Sequence, residues 1–182
     1  FADSGADAWT ATVDYGDGSE VQALTLNPDK TFALSHTYGD DGLYTVTVCV
    51  TDDDGAQGCD SAQVTVANVA PTIELSGAAT VDEGSVYALT RGTVTDPGTD
   101  TVSEYIVHWG DGGTNHYTSG GSVTHVYADG PSSPTIVVDL VDEDGTHVGA
   151  GTLALTVNNV APSDVALTLD TVSIDENGSV TL

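Results

Sequence analysis

The string NVAP stands at residues 68–71 and again at 159–162, an offset of 159 − 68 = 91 residues. Other landmarks recur between those marks in the same order. VDYGDGS (13–19) matches VHWGDGG (107–113), HTY (36–38) matches HVY (125–127), and VTDDDG (50–55) matches LVDEDG (140–145). A repeat this long exceeds a solenoid unit and has the size of a small domain copied in tandem. Each copy is large enough to bury its own core.

Strand signals fill the copies. LYTVTVCV (43–50), AQVTVANV (62–69), TIVVDLV (135–141) and GTLALTV (151–157) alternate apolar and polar residues with period two. No stretch carries helical periodicity. Turn signals such as GDG, GDDG, DDDG and DPG fall between the runs at the spacing of an all-β sandwich. The second copy reads as strand A at 72–75, B at 86–94, C at 105–109, a C′ or E region over 116–127, F at 135–141 and G at 152–157. The first copy opens after the place where its strands A and B belong. SDVALTL and IDENGSVTL, within 163–182, supply that missing type of segment, IDENGS matching VDEGS at 81–85. The expected division is therefore 1–69, a first repeat lacking strands A and B; 70–161, a complete repeat; and 162–182, the A and B strands of a third. Because 182 = 2 × 91, the sequence reads as a piece of a longer periodic chain. Pro71 and Pro162 fix φ and bias the preceding Ala towards extended geometry, so neighbouring units are expected end to end in a linear rod.

Charge removes several functions. The chain has 28 acidic residues against two basic ones, Lys30 and Arg91, for a formal net charge of −26. Nothing here neutralises phosphates, which excludes nucleic acid and anionic membrane surfaces as partners. No transmembrane run or lipidation motif lies within residues 1–182, so no direct membrane insertion is expected. Such a charge opposes the compact state unless salt or bound cations screen it.

The order GDG after Tyr or Trp, then HTY, then GLYTVTVCVTDDDG resembles the PKD domain, an immunoglobulin-like β-sandwich, over nearly the whole of both repeats. The resemblance implies an all-β chain of tandem PKD-type sandwiches. It further implies an exported, extracellular or cell-surface protein in which such units act as structural or binding modules. The second repeat departs from the pattern where Pro134 takes the place of Tyr44, which puts the packing of that corner in question.

The acidic clusters are the candidate chemistry. In a sandwich of this type the B–C and F–G loops share one end. In the second repeat that end carries Asp96, Asp100, Asp142, Glu143 and Asp144, with Asn68 arriving from the linker. In the first repeat the equivalents are Asp3, Asp7, Asp52, Asp53 and Asp54. Crowded carboxylates without a sequence-adjacent Lys or Arg suit a hard cation with six to eight oxygen ligands, which makes calcium the expected cofactor. The layout also resembles cadherins, in which acidic loops and an Asn/Pro linker bind calcium between domains. Solvated Asp/Gly turns are the alternative. The Asp of each GDG is expected to bond its own turn, with Gly supplying positive φ. His36 and His125, which recur with the repeat, are expected in structural hydrogen bonds. No catalytic constellation can be singled out, so no enzyme is expected.

Cys49 on strand F and Cys59 on strand G share the outward parity, so a disulfide can form if the register sets their Cα atoms at bonding distance; two free thiols are the alternative. Asn177 heads an N-x-S sequon and is a glycosylation candidate.

Together these residues point to a non-catalytic extracellular repeat of a stalk, fibre, surface-layer or adhesin protein, stiffened by calcium. The alternative is a carbohydrate- or protein-binding accessory module of a secreted hydrolase. Expected partners are copies of itself or adjacent repeats, and surface polysaccharide. One mode of self-association is strand addition: residues 165–169 and 179–182 of one copy pairing with the first repeat of the next at an edge near Val13 and Val46.

Overall fold

The computed structural model describes residues 1–3, 7–168 and 173–179. Strands and turns account for all its regular structure, and the described residues hold no helix. Residues 9–66 form one sheet. It comprises β1 (Trp9–Asp14), β2 (Gln22–Leu24), β3 (Gly42–Asp52) and β4 (Gln57–Val66), in the order β2-β1-β3-β4, with every neighbour antiparallel.

Residues 72–158 form a sandwich. One face is β5 (Thr72–Gly77), β7 (Val86–Thr95) and β10 (Gly121–Val126), ordered β10-β7-β5. The other is β8 (Glu104–His108), β9 (Thr114–Tyr117), β11 (Thr135–Val141) and β12 (Thr146–Ala154), ordered β12-β11-β8-β9. A parallel pair, β6 (Thr80–Asp82) against β13 (Thr156–Asn158), seals one margin. This is the two-sheet antiparallel plan of an immunoglobulin-like sandwich. Its core holds Trp109, Leu89, Val107, Ile136, Val138 and Leu140, each fully buried. Alternation puts them there: Ile136, Val138 and Leu140 are successive same-face residues of β11.

The sheet of residues 9–66 has the counterpart of only one face of that sandwich. Its small core is Val13, Tyr15 and Val46, backed by Leu24, Tyr38 and Val48. β4 is exposed along nearly its whole length. Residues 31–38, the counterpart of β10, carry no ladder. In the second unit β10 pairs with β7, and among the described residues no counterpart of β7 stands beside residues 31–38.

The structure corrects several sequence-based expectations. The run over 62–69 was expected as one strand, but β4 starts at Gln57 and ends at Val66. The run over 151–157 is split at Leu155, between β12 and β13. Val13 and Val46 do not lie on an edge: β1 and β3 are each paired on both sides, so the free edges belong to β2 and β4. Of residues 163–182, 163–168 and 173–179 form no strand, and the segments 169–172 and 180–182 lie outside the described residues. The corner at Pro134 does pack. Pro134 is buried and its carbonyl accepts the Leu155 amide at 3.0 Å. In the first unit the same corner stacks Tyr44 on Tyr38, with 4.4 Å between ring centroids.

Candidate functional site: the acidic junction

Two devices tie turns and strands within the units. In the first, the GDG aspartate ties a turn to a histidine. Asp111 Oδ1 accepts the Gly113 amide at 2.9 Å, and Asp111 Oδ2 meets His125 Nε2 at 2.6 Å. The His125 ring stacks on Trp109 at 4.5 Å, and Tyr127 donates its hydroxyl to the Trp109 carbonyl at 3.0 Å. The first unit repeats this with Asp17, His36, Tyr15 and Tyr38; Asp17 Oδ2 is 2.6 Å from His36 Nε2. The leading glycine is required by space as well as by angle. Gly16 and Gly110 have φ of 77° and 82°, and a Cβ there would stand 2.5 Å from the Thr45 carbonyl and 2.7 Å from the Thr135 carbonyl.

The second device joins strands F and G. Cys49 and Cys59 are direct cross-strand partners, bonded as a disulfide with Cα atoms 4.1 Å apart. That is the close spacing of an antiparallel non-hydrogen-bonded pair. In the second unit Asp139 and Gly149 take these positions. The register slips between Val138 and Leu140, Gly149 turns to φ 72°, and its amide donates to Asp139 Oδ1 at 2.8 Å.

The acidic residues of the B–C and F–G loops meet the end of the first unit. Asn68 Nδ2 donates to Asp144 Oδ2 at 2.8 Å, and the Thr99 amide donates to the Gly39 carbonyl at 2.9 Å. Asp40 and Asp41, in the turn before β3, come up against the second unit's carboxylates. Asp100 lies within hydrogen-bonding reach of Asp40, and Asp144 of Asp41. Burial, then Asp96, Asp40 and Asp144, push the Asp100 carboxyl up to about 6. Burial, then Asp41 and Asp142, push Asp144 up as well. Asp96 Oδ2 and Asp100 Oδ1 are buried without a hydrogen-bond partner.

No basic side chain relieves this cluster. Arg91 is buried over Tyr117, its guanidinium carbon 4.2 Å from the ring centroid. Lys30 lies over Trp9 at 4.2 Å and donates to the Asp3 carbonyl.

Asp142 behaves differently. Its side chain is fully buried, Oδ1 accepts the amides of Asp144 and Gly145, and Oδ2 lies 2.7 Å from His147 Nε2. Burial alone would raise its pKa, but His147 and the two amides hold it below the usual carboxylate value. It braces the loop. Glu143 does the same by accepting the Thr101 amide at 2.9 Å.

The first unit's own set is looser. Asp3 accepts the Trp9 indole N–H at 2.6 Å, and Asp52 Oδ1 accepts the Ala56 amide at 2.8 Å. Burial, then Asp3, Asp53 and Asp52, raise the Asp7 carboxyl, with Lys30 opposing. Asp54 is an exposed turn residue. Asn177 sits in an exposed turn at φ 69°.

The oxygen donors suit a hard cation, since two buried carboxylate oxygens are orphaned and paired carboxyls face each other. They are not a preassembled cage. Among the described residues no three His, Cys, Asp or Glu converge closely enough to hold a metal ion as they stand.

Asp40 and Asp41 were absent from the expected ligand set. The GDDG run was visible, but as a turn. It lies at the opposite end of its own unit from the B–C and F–G loops, and only end-to-end stacking brings it to the next unit's acidic end.

The fold and its loop devices define an immunoglobulin-like β-sandwich module. Residues 1–66 match the family model of the PKD domain. Among solved structures, the chain is similar to the fibronectin(III)-like modules of Clostridium thermocellum CbhA at 16% identity and TM-score 0.43, covering 82% of this chain and 78% of that one. It is also similar to SGBP-B of the Bacteroides ovatus mixed-linkage glucan utilization locus, solved with a mixed-linkage heptasaccharide, at 20% identity and TM-score 0.25, covering 81% of this chain and 37% of that one. No curated protein matches the chain.

Proposed function

We propose that this chain is a non-catalytic structural segment of an extracellular stalk, fibre, surface-layer or adhesin protein, in which calcium bound at the junction stiffens one β unit against the next. The observation that carries this reading is the pair of carboxyl–carboxyl contacts across the junction, Asp40 with Asp100 and Asp41 with Asp144. At neutral pH such contacts repel unless a proton or a cation stands between them. A cation that binds only the folded junction stabilises by RT ln(1 + [L]/Kd), about 2.7 kcal/mol at a hundredfold excess over Kd. Asp40, Asp41, Asp96, Asp100 and Asp144 would supply the ligands, with Asn68 orienting Asp144. Since the set is not preassembled, binding draws these side chains together and orders the junction. Thermal melts at low ionic strength, with calcium and with chelator, test the reading. A midpoint several degrees higher with calcium is expected, and identical midpoints overturn it.

A second reading, an accessory module that binds carbohydrate, draws support from the open face of residues 9–66. A cleft there is lined by Phe1, Trp9, Phe32, Val50 and Gln57. Aromatic side chains beside polar groups suit a sugar ring. Affinity electrophoresis through mixed-linkage glucan distinguishes the two, since a structural segment runs unretarded.

A further inference from the structure

We infer that the free edge of β10, in the second unit, is an association surface for a second copy of this chain, which adds its own β10 antiparallel to it. The contact is lateral. It goes beyond the end-to-end junction and the calcium reading above and depends on neither.

An edge strand presents unpaired backbone N–H and C=O groups, and proteins guard such edges by shortness, bulges, charge, Pro or a cover. The two sheets of the second unit have the edges β5, β10, β9 and β12. Three of them are guarded. β5 is bulged between Ile73 and Leu75, carries the exposed Glu74, and lies against β12, where a Cβ on Gly151 would stand 2.6 Å from Ile73 Cγ2. β12 slips against β11 between Val138 and Leu140 and turns at Gly149, φ 72°. β9 has only 4 residues, and its His116 is held by Glu104 Oε1 at 2.8 Å. β10 has none of these devices. Its sequence, GSVTHV, contains no acid, Lys, Arg or Pro, and its register with β7 is unbroken from Gly121↔Arg91 to Val126↔Val86. Among the described residues no strand but β7 pairs with it.

Charge selects the occupant. Copies that each carry a net charge of −26 approach only where neither presents carboxylates. The outer face beside the β10 edge meets that condition. Val86 and Val126 stand directly opposite each other there, 67% and 47% exposed. The exposed pairs Ala88–Thr124 and Thr90–Ser122 continue the row, with the Thr90 and Ser122 hydroxyls 3.0 Å apart. Arg91, the one charged residue of β7 and β10, is buried. A neutral face of valines and hydroxyls is complementary to its own copy.

Strand parity sets the register. Ser122, Thr124 and Val126 point outward, while Val123 and His125 point towards the core, His125 onto Trp109. Outward residues must pair with outward ones, since a slip of one residue exchanges the faces. Antiparallel registers centred on Val123 or on Thr124 satisfy this. The first needs Gly121, which at φ 100° is not extended and whose carbonyl already accepts Arg91 Nε at 3.3 Å. The second uses residues 122–126 and leaves Gly121 out. It places Thr124 opposite the partner's Thr124, Ser122 opposite the partner's Val126, and Val123 opposite the partner's His125. The two three-stranded sheets become one, in the order β5-β7-β10 followed by the partner's β10-β7-β5. Because both copies offer the same surface, the contact closes at a dimer.

The experiment uses residues 1–182 in chelator and about 0.5 M NaCl, where the screening length falls to a few ångströms. A contact this small is weak, so sedimentation velocity is extended to about 1 mM chain. A monomer–dimer equilibrium that stops at the dimer is expected. Thr124→Asp sets a carboxylate against its own copy at an exposed position and should leave the chain monomeric, with Trp109 fluorescence unchanged. Thr124→Cys reads the same contact without relying on a charge. Under mild oxidant it should form covalent dimers about tenfold faster than Thr90→Cys, which is exposed on the same face but on the central strand, because association raises the effective concentration of the two thiols. Wild-type chain that is monomeric throughout, Thr124→Asp chain that dimerises as the wild type does, growth beyond a dimer, or equal cross-linking of the two cysteine variants overturns the inference. Working in chelator separates this outcome from the calcium melts above, which a failed association leaves untouched.

Discussion

Asp139 Oδ1 accepts the Gly149 amide at 2.8 Å, at the strand positions that Cys49 and Cys59 occupy in the first unit. A covalent bridge and a side-chain-to-backbone hydrogen bond thus serve one place in the repeat. Asp139 is buried and its other oxygen meets His108 Nε2 at 2.9 Å. Asp139→Ala leaves the Gly149 amide and the His108 N–H without their acceptor and should cost about 1–3 kcal/mol. Chemical denaturation of residues 72–158 monitored by Trp109 fluorescence reads this. An unchanged midpoint would remove Asp139 as a brace.

Reduction of Cys49–Cys59 should loosen the first unit alone. The bond closes a sequence separation of 10, for which constraint of the unfolded chain is worth about 2–3 kcal/mol. Backbone amides of β3 and β4 should exchange faster after reduction, while those of β11 and β12 keep their protection. Equal loss in both units would show that the units unfold together.

The GDG aspartates predict the acid limb of stability. The Ser19 hydroxyl first, then His36, hold Asp17 well below its ordinary value. Burial pushes Asp111 up, but the His125 contact and the Gly113 amide prevail and hold it down. A carboxyl whose folded pKa is depressed stabilises fully above its unfolded pKa, 3.8 here, and loses that contribution as pH falls through the folded value. Stability should therefore decline below about pH 4, and Asp17→Asn with Asp111→Asn should flatten that decline. A double variant with the wild-type acid slope would assign the slope to other carboxyls.

Much of this fold was legible because period two and turn residues act locally. β11 was expected at its observed bounds, and the disulfide partners share a face through strand parity alone. The break at Leu155, between β12 and β13, was not legible, since burial alternates straight through it and the change of partner from one sheet to the other is a tertiary event. The acidic cluster at the junction was half legible for a similar reason. Asp96, Asp100 and Asp144 belong to loops that one sandwich brings together, whereas Asp40 and Asp41 join them only through stacking of one unit on the next.

The junction carboxyls give the sharpest test of the calcium reading. Asp100, raised to about 6, makes the folded state bind a proton more tightly than the unfolded state. Its contribution therefore favours folding as pH falls from neutrality towards the unfolded value, and opposes folding above the folded pKa. Asp100→Asn with Asp144→Asn removes one carboxylate from each pair while keeping the side-chain volume. Without calcium at pH 7 the double variant should melt higher than the wild type, because two like-charge contacts are gone. With calcium the order should reverse, because two ligands are gone with them. Calorimetric melts of both proteins, in calcium and in chelator, provide the four values. A double variant that is less stable in both conditions would show that these carboxyls support the junction without a cation. A calcium shift equal to that of the wild type would place the binding site elsewhere.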